Sequence, residues 1–205
     1  MNQLRTEGLI VPVSRTWCRT GPEHQFELHQ TSREVELARV IRTLVDRYCV
    51  WSLTALNPLL VHQRLRRLTI VEVERDDRRM VFERLQSEKF RNVILETDAK
   101  WAMDHVGGSD FDVIVRKMIT KAPMKNKLRG TPTLEKIIVD LFIDGQVLAG
   151  IAPSDLVHLI KLAFSVYTID IRVLRAYARR RNVLDKLISY LDWLKVAPAE
   201  VLHDP

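Results

Sequence analysis

Four short segments, CVWSLTAL, LTIVEVE, RNVILET and FDVIVRK, constrain what this chain can fold into more than any other feature. Each is rich in β-branched or aromatic residues, which fit the pleated, half-buried surface of a sheet. Between the second and third lies DDRRMVFERLQSEK, in which Met80, Val81 and Leu85 stand among charged residues as on an amphipathic helix. Asp76 or Asp77 supplies acid at its start, where the helix dipole favours it. A helix used as a crossover between strands requires at least partly parallel pairing. The expected fold is therefore α/β, with a mixed sheet of about four strands flanked by helices.

Helical patterns surround this centre. Thr31 or Ser32 caps EVELARVIRTLVDRY, where Leu37, Val40, Ile41, Leu44 and Val45 keep the spacing of one helix face. Downstream, Pro132 sits at a helix start with Thr131 or Thr133 as cap, and LEKIIVDLFID follows up to a turn expected at Asp144-Gly145. PSDLVHLIKLAFSVY gives a further helix. After Thr168-Ile169-Asp170, IRVLRAYARRRNVLDKLISYLDWLK reads as one long helix striped by Leu174, Tyr177, Leu184, Leu187, Leu191 and Leu194. Arg181 interrupts that stripe. These segments form a C-terminal helical layer. Residues 1–20 read as a helix end stopped at Gly8, then a small hairpin; residues 21–33 read as a linker, 34–197 as the main domain and 198–205 as a frayed tail.

Composition narrows the function classes. The 205 residues are 46% hydrophobic and 28% charged, enough for a real core and unlike a disordered chain. Thirty-two Lys and Arg against 26 Asp and Glu leave a net charge of +6, which suits a polyanion or an acidic partner. Cys18 and Cys49 have neither disulfide nor zinc spacing and read as small apolar residues in a reducing cytoplasm. No apolar run approaches the roughly 18–20 residues that cross a bilayer, so no membrane partner is expected. MNQLRTEGLI also lacks the layout of a secretory signal.

Positive charge gathers in two places. Arg172, Arg175, Arg179, Arg180 and Arg181 crowd about three turns of one helix, where like charges at neighbouring positions oppose each other. Planar guanidiniums bind carboxylates and phosphates bidentately, so this stretch is a candidate surface for a partner or nucleic acid; a solvated face with one or two ion pairs into the body of the domain is the competing reading. The second place is a loop carrying Lys121, Lys125, Lys127 and Arg129, downstream of Arg116 and Lys117. It suits phosphate contact without base reading, having no aromatic residue interleaved; a mobile, solvated loop is the competing reading. The acids Glu72 and Glu74 alternate on one strand and share a face, an arrangement that holds magnesium in some nucleotidyl-transferring and nuclease sites. Surface pairing with Arg75, Arg78 and Arg79 is the competing reading. Other templates fail: there is no G-x-S-x-G or H-E-x-x-H, and Gly107-Gly108 precedes a strand. His62 and His158 lie in apolar runs and read as packing residues. No cofactor is expected.

The order CVWSLTALN, LTIVEVERDDRRMVFERL, TKAPM, TPTLEKIIVDLF and LRAYARRRN resembles the AbiEi-type antitoxins and related predicted transcriptional regulators of phage-defence loci, from about Val35 to Leu191. The resemblance implies an N-terminal DNA-binding winged helix, followed by an antitoxin domain that opposes a nucleotidyltransferase toxin encoded beside it. LRTEGLIVPVSRTWC is similar to only the last helix and wing, so a truncated winged helix with weak or lost DNA binding is expected. Arg175, Arg179, Arg180 and Arg181 match the family's basic motif, and Glu135 and Lys136 its TPTLEK helix start. The expected function is a non-enzymatic antitoxin and regulator. A magnesium-dependent nucleotidyltransferase- or nuclease-like enzyme using Glu72 and Glu74 is the alternative, and an interaction module that has lost DNA binding is a third.

Overall fold

A computed structural model describes residues 10–12, 18–20, 24–60, 68–88, 90, 92–96, 113–125, 129–149, 151–197 and 202. A short antiparallel pair comes first, β1 (Ile10–Pro12) with β2 (Cys18–Thr20), the hairpin expected from the sequence. Helix α1 (Ser32–Ile41) begins with a capping box in which the Thr31 side chain accepts from the Glu34 amide and Glu34 accepts from the Thr31 amide. The helix stops at Ile41, leaving Leu44 and Val45 in the turn beyond it.

The sheet follows the four segments singled out above. Its strands are β3 (Tyr48–Ser52), β4 (Thr69–Val73), β5 (Val93–Leu95), β6 (Val113–Lys117) and a two-residue edge, β7 (Arg129–Gly130), in the order β5-β6-β4-β3-β7. β3 and β4 pair antiparallel; β4–β6, β5–β6 and β3–β7 pair parallel. A 3-10 helix (Leu53–Leu59) follows β3, and α2 (Arg78–Ser87) lies between β4 and β5 as expected. Asp77 is the N-cap of α2, but its side chain makes no capping bond.

All residues of β3 and β4 are buried, because helices cover both faces of the sheet. Cross-strand partners share a face. Cys49 opposite Glu72, Trp51 opposite Ile70, and Ile114 and Arg116 beside Ile70 and Glu72 therefore make one face. Its apolar members join the core formed with the C-terminal helices. The other face presents Val50, Val71, Val73, Val113 and Val115 to Leu37 and Ile41 of α1 and Val81 and Leu85 of α2. The architecture is a mixed α/β sheet between two helical layers.

The C-terminal layer contains α3 (Leu134–Ala149), α4 (Pro153–Val166), α5 (Ile171–Arg180) and α6 (Leu184–Leu194). The helices depart from expectation at two points. Asp144-Gly145 makes no turn: α3 runs through it to Ala149, since the turn propensity of one dipeptide yields to the packing of a long buried helix. The expected single long helix is two, broken where Asn182 takes a left-handed φ of 56°. The expected linker has no regular structure at 24–31, yet it is fastened to the body. Gln30 donates to the Val50 carbonyl, Thr168 donates its amide to the His24 carbonyl, and Phe26 meets Tyr167 edge to face at 5.2 Å. The tail is not wholly frayed either, because Leu202 is fully buried and its carbonyl accepts from Arg175. Among the described residues, no helix is long and apolar enough to cross a membrane.

Candidate functional site

Where the first sheet face meets α3 and α5, charged side chains are sealed into the protein. Glu72, Arg116, Lys136 and Asp140 are all 2% exposed or less. Strand alternation turns Glu72 and Arg116 inward from adjacent positions of β4 and β6. Lys136 and Asp140 are four residues apart on α3, so they share a helix face, and that face meets the sheet. The Lys136 ammonium lies 2.6 Å from Glu72 Oε2 and 2.5 Å from Asp140 Oδ2. The Asp140 contact is a hydrogen bond, whereas Glu72 Oε2 makes an ion pair without hydrogen-bond geometry. The same ammonium stands 5.9 Å from the Trp51 ring centroid and 5.8 Å from that of Tyr177, within cation–π range. Tyr177 donates its hydroxyl to Asp140 Oδ1 at 2.9 Å.

The cluster continues toward the surface. Arg116 Nε lies 3.5 Å from Glu72 and 3.4 Å from Glu96, and its terminal nitrogen donates to Asp144 Oδ2 at 3.0 Å. Arg181 donates to the same Asp144 oxygen at 3.0 Å and lies 3.8 Å from Asp140. Arg181 breaks the apolar stripe of its helix because it serves these carboxylates.

Each ion taken from water costs several kcal/mol, which only close opposite charges repay. Burial alone would lower the pKa of Lys136, but Asp140 and Glu72 outweigh it and hold the amine well above its ordinary value. Burial likewise opposes the charge on Arg116, and the surrounding carboxylates, Glu72 foremost, more than restore it. For Asp140, burial acts upward, but Lys136, Arg116 and Arg181 together bring the carboxyl below its ordinary range. Burial pushes the Tyr177 hydroxyl and the Cys49 thiol upward. An ammonium held charged in this way is neither base nor nucleophile near neutrality; it ties the sheet to the helical layer. Among the described residues, no three His, Cys, Asp or Glu side chains are grouped to hold a metal ion.

The residues picked from the sequence separate. Glu72 and Glu74 do not converge: Glu72 is buried in the cluster, while Glu74 lies past the end of β4, half-exposed, with Arg47 at 3.0 Å. Nor does either pair with Arg79, which instead meets Glu83. Of the basic helix, Arg181 belongs to the cluster, Arg175 holds Leu202, and Arg172 lies 3.5 Å from the N-cap Asp170. Arg179 and Arg180 are exposed, as are Lys121 and Lys125. Arg129 sits in β7, Lys127 falls outside the described residues, and so does His62. His158, expected inside, is exposed on α4. Cys49 is buried and free, as expected.

The central positions of Lys136, Asp140 and Tyr177 escaped the sequence reading. The available signal was a Lys–Asp pair at i, i+4 enclosing Ile137, Ile138 and Val139, and Arg116 two residues after Ile114 on a buried strand. Charges at positions whose neighbours are all apolar point to internal pairing. No curated protein and no solved structure matches this chain. A family model described as "Family of unknown function (DUF6577)" matches residues 1–196.

Proposed function

We propose that this chain, which belongs to the DUF6577 family, is an AbiEi-like antitoxin and regulator that counteracts a nucleotidyltransferase-type toxin without chemistry of its own. The observation that supports this reading most is the ammonium of Lys136 set between Glu72 and Asp140. It occupies the place between two carboxylates that a catalytic cation would need, and it leaves those acids committed to the fold. The positive charge available to a partner is then on the surface, at Arg179, Arg180, Lys121 and Lys125. Guanidiniums presented this way suit a carboxylate or phosphate surface.

The test identifies the gene beside this one, which the proposal expects to encode a nucleotidyltransferase-type toxin, and co-expresses the two. The wild-type chain restores growth, and the double variant Arg179→Glu/Arg180→Glu fails to do so while keeping its fold. Growth arrest that persists in the presence of the wild-type chain overturns the proposal. So does full rescue by the double variant.

A further inference from the structure

Helix α6 carries its exposed residues in two strips. Lys186, Ser189, Tyr190 and Trp193 follow the i, i+3, i+4, i+7 spacing of one helix face, and Asp185 and Asp192 fall to one side of it. Trp193 is 68% exposed, the most exposed large hydrophobic side chain among the described residues. It is not adrift: its ring stacks on Tyr190 at 5.8 Å and 28°, and Tyr190 in turn leans on Phe142 of α3 at 5.2 Å. The indole is thus buttressed from behind with much of its surface open to solvent. Lys186 is exposed in the first turn of α6, about 10 Å along the axis from Trp193 at the helical rise per residue. Arg179 and Arg180, also exposed, end the preceding helix just across the tight turn at Asn182.

We infer that this strip binds single-stranded nucleic acid, with a base stacked on Trp193 and the adjoining backbone phosphates drawn to Lys186 and the Arg179–Arg180 corner. The pairing of a buttressed aromatic face with a short track of cations is what such ligands require. Every base has a π-face, and every linkage carries a negative charge. A protein partner docking through Trp193 would need an apolar surround to exclude water from the contact. Here the strip beyond the Tyr190–Trp193 stack is polar, with Lys186 and Ser189 in it, and the other exposed large hydrophobics among the described residues, Val35 and Met80, lie on α1 and α2. The inference does not depend on the chain opposing a toxin.

The experiment titrates the full chain into short fluorescently labelled single-stranded DNA and RNA oligonucleotides and follows anisotropy at several salt concentrations. Trp193→Ala is expected to weaken binding by about ten- to a hundred-fold, and Trp193→Phe to retain most of it. Lys186→Gln is expected to reduce the salt slope by about one. Trp193 is largely exposed, so an unchanged circular dichroism spectrum verifies that the variant folds. A duplex of the same sequence is expected to bind more weakly, its bases being stacked already. Equal affinity of wild type and Trp193→Ala overturns the inference. Displacement of the oligonucleotide by polyglutamate at equal charge concentration also overturns it, and assigns the strip to an acidic protein.

Discussion

Lys136 reaches from α3 to within 2.6 Å of Glu72 on β4, an ion pair in which neither partner is more than 1% exposed. The pair joins a helix to the sheet at the centre of the protein, so removing one member strands the other. Lys136→Met leaves Glu72 and Asp140 facing each other without their cation and is expected to cost about 3–5 kcal/mol. Adding Glu72→Gln to Lys136→Met is expected to recover part of that loss. Urea unfolding of wild type, single and double variants reads both effects. A Lys136→Met loss below about 1 kcal/mol would show that the pair contributes little.

Acid reveals the same cluster through Asp140. Its carboxyl is held below the ordinary 3.8 by Lys136, Arg116 and Arg181, against the opposing effect of burial. A folded-state value lowered in this way stabilises the protein fully above the unfolded value, and that stabilisation is lost as pH falls through the lowered one. Wild type is therefore expected to lose stability below about pH 4, while Asp140→Asn, less stable near neutrality, loses less. The two stability curves converge in acid. Lys136 acts in the opposite range: its raised pKa keeps its contribution intact up to 10.5 and loses it above, as pH rises through the raised value. Parallel curves for wild type and Asp140→Asn down to pH 3 would refute the assignment.

The strands were legible because β-branched residues concentrate where a sheet is covered on both faces, and the four segments read from the sequence became β3, β4, β5 and β6. Thr31 was legible as a cap because its signal is local: a hydroxyl at the N-cap and a glutamate three residues on. The ionic cluster was not legible. Glu72, Arg116, Lys136 and Arg181 come from four separate elements, and their pairing depends on how sheet and helices stack. Read along the chain, Glu72 looks like the neighbour of Glu74; across the sheet it is the neighbour of Arg116. The arginine helix was legible in part: one or two ion pairs into the body of the domain were open from the sequence, but not which acids receive them. Its charge looked uncompensated because Asp140 and Asp144, which face Arg181, lie 41 and 37 residues earlier in the sequence.

Gly145 offers a test of the extended α3. It lies inside the helix, and a Cβ added there would meet Leu141 Cβ at 3.7 Å, an ordinary contact. Glycine inside a helix gives up more chain entropy than alanine by about 0.5–1 kcal/mol. Gly145→Ala is therefore expected to stabilise the protein by about that amount, read as a rise in the urea midpoint at constant slope. A turn at this position would give the reverse result.

Asn182 tests the break between α5 and α6. Its φ of 56° lies in the left-handed region, where a side chain crowds the following carbonyl and glycine does not. Its own amide donates to the Arg179 carbonyl, and the next amide, of Val183, donates to the Ala178 carbonyl, so the end of α5 is closed by this one conformation. A continuous helix through Arg181–Val183 would carry Leu184 onward on the stripe of Leu174 and Tyr177; the break instead redirects α6 and frees Arg181 to reach Asp144. Asn182→Gly is expected to leave stability unchanged or raise it slightly, and Asn182→Val to lower it by about 1–2 kcal/mol, since β-branching tolerates positive φ least. If the segment were one helix, the order would invert, with glycine the costlier by about 0.5 kcal/mol. Thermal melts of the two variants beside wild type decide between these geometries by sign alone.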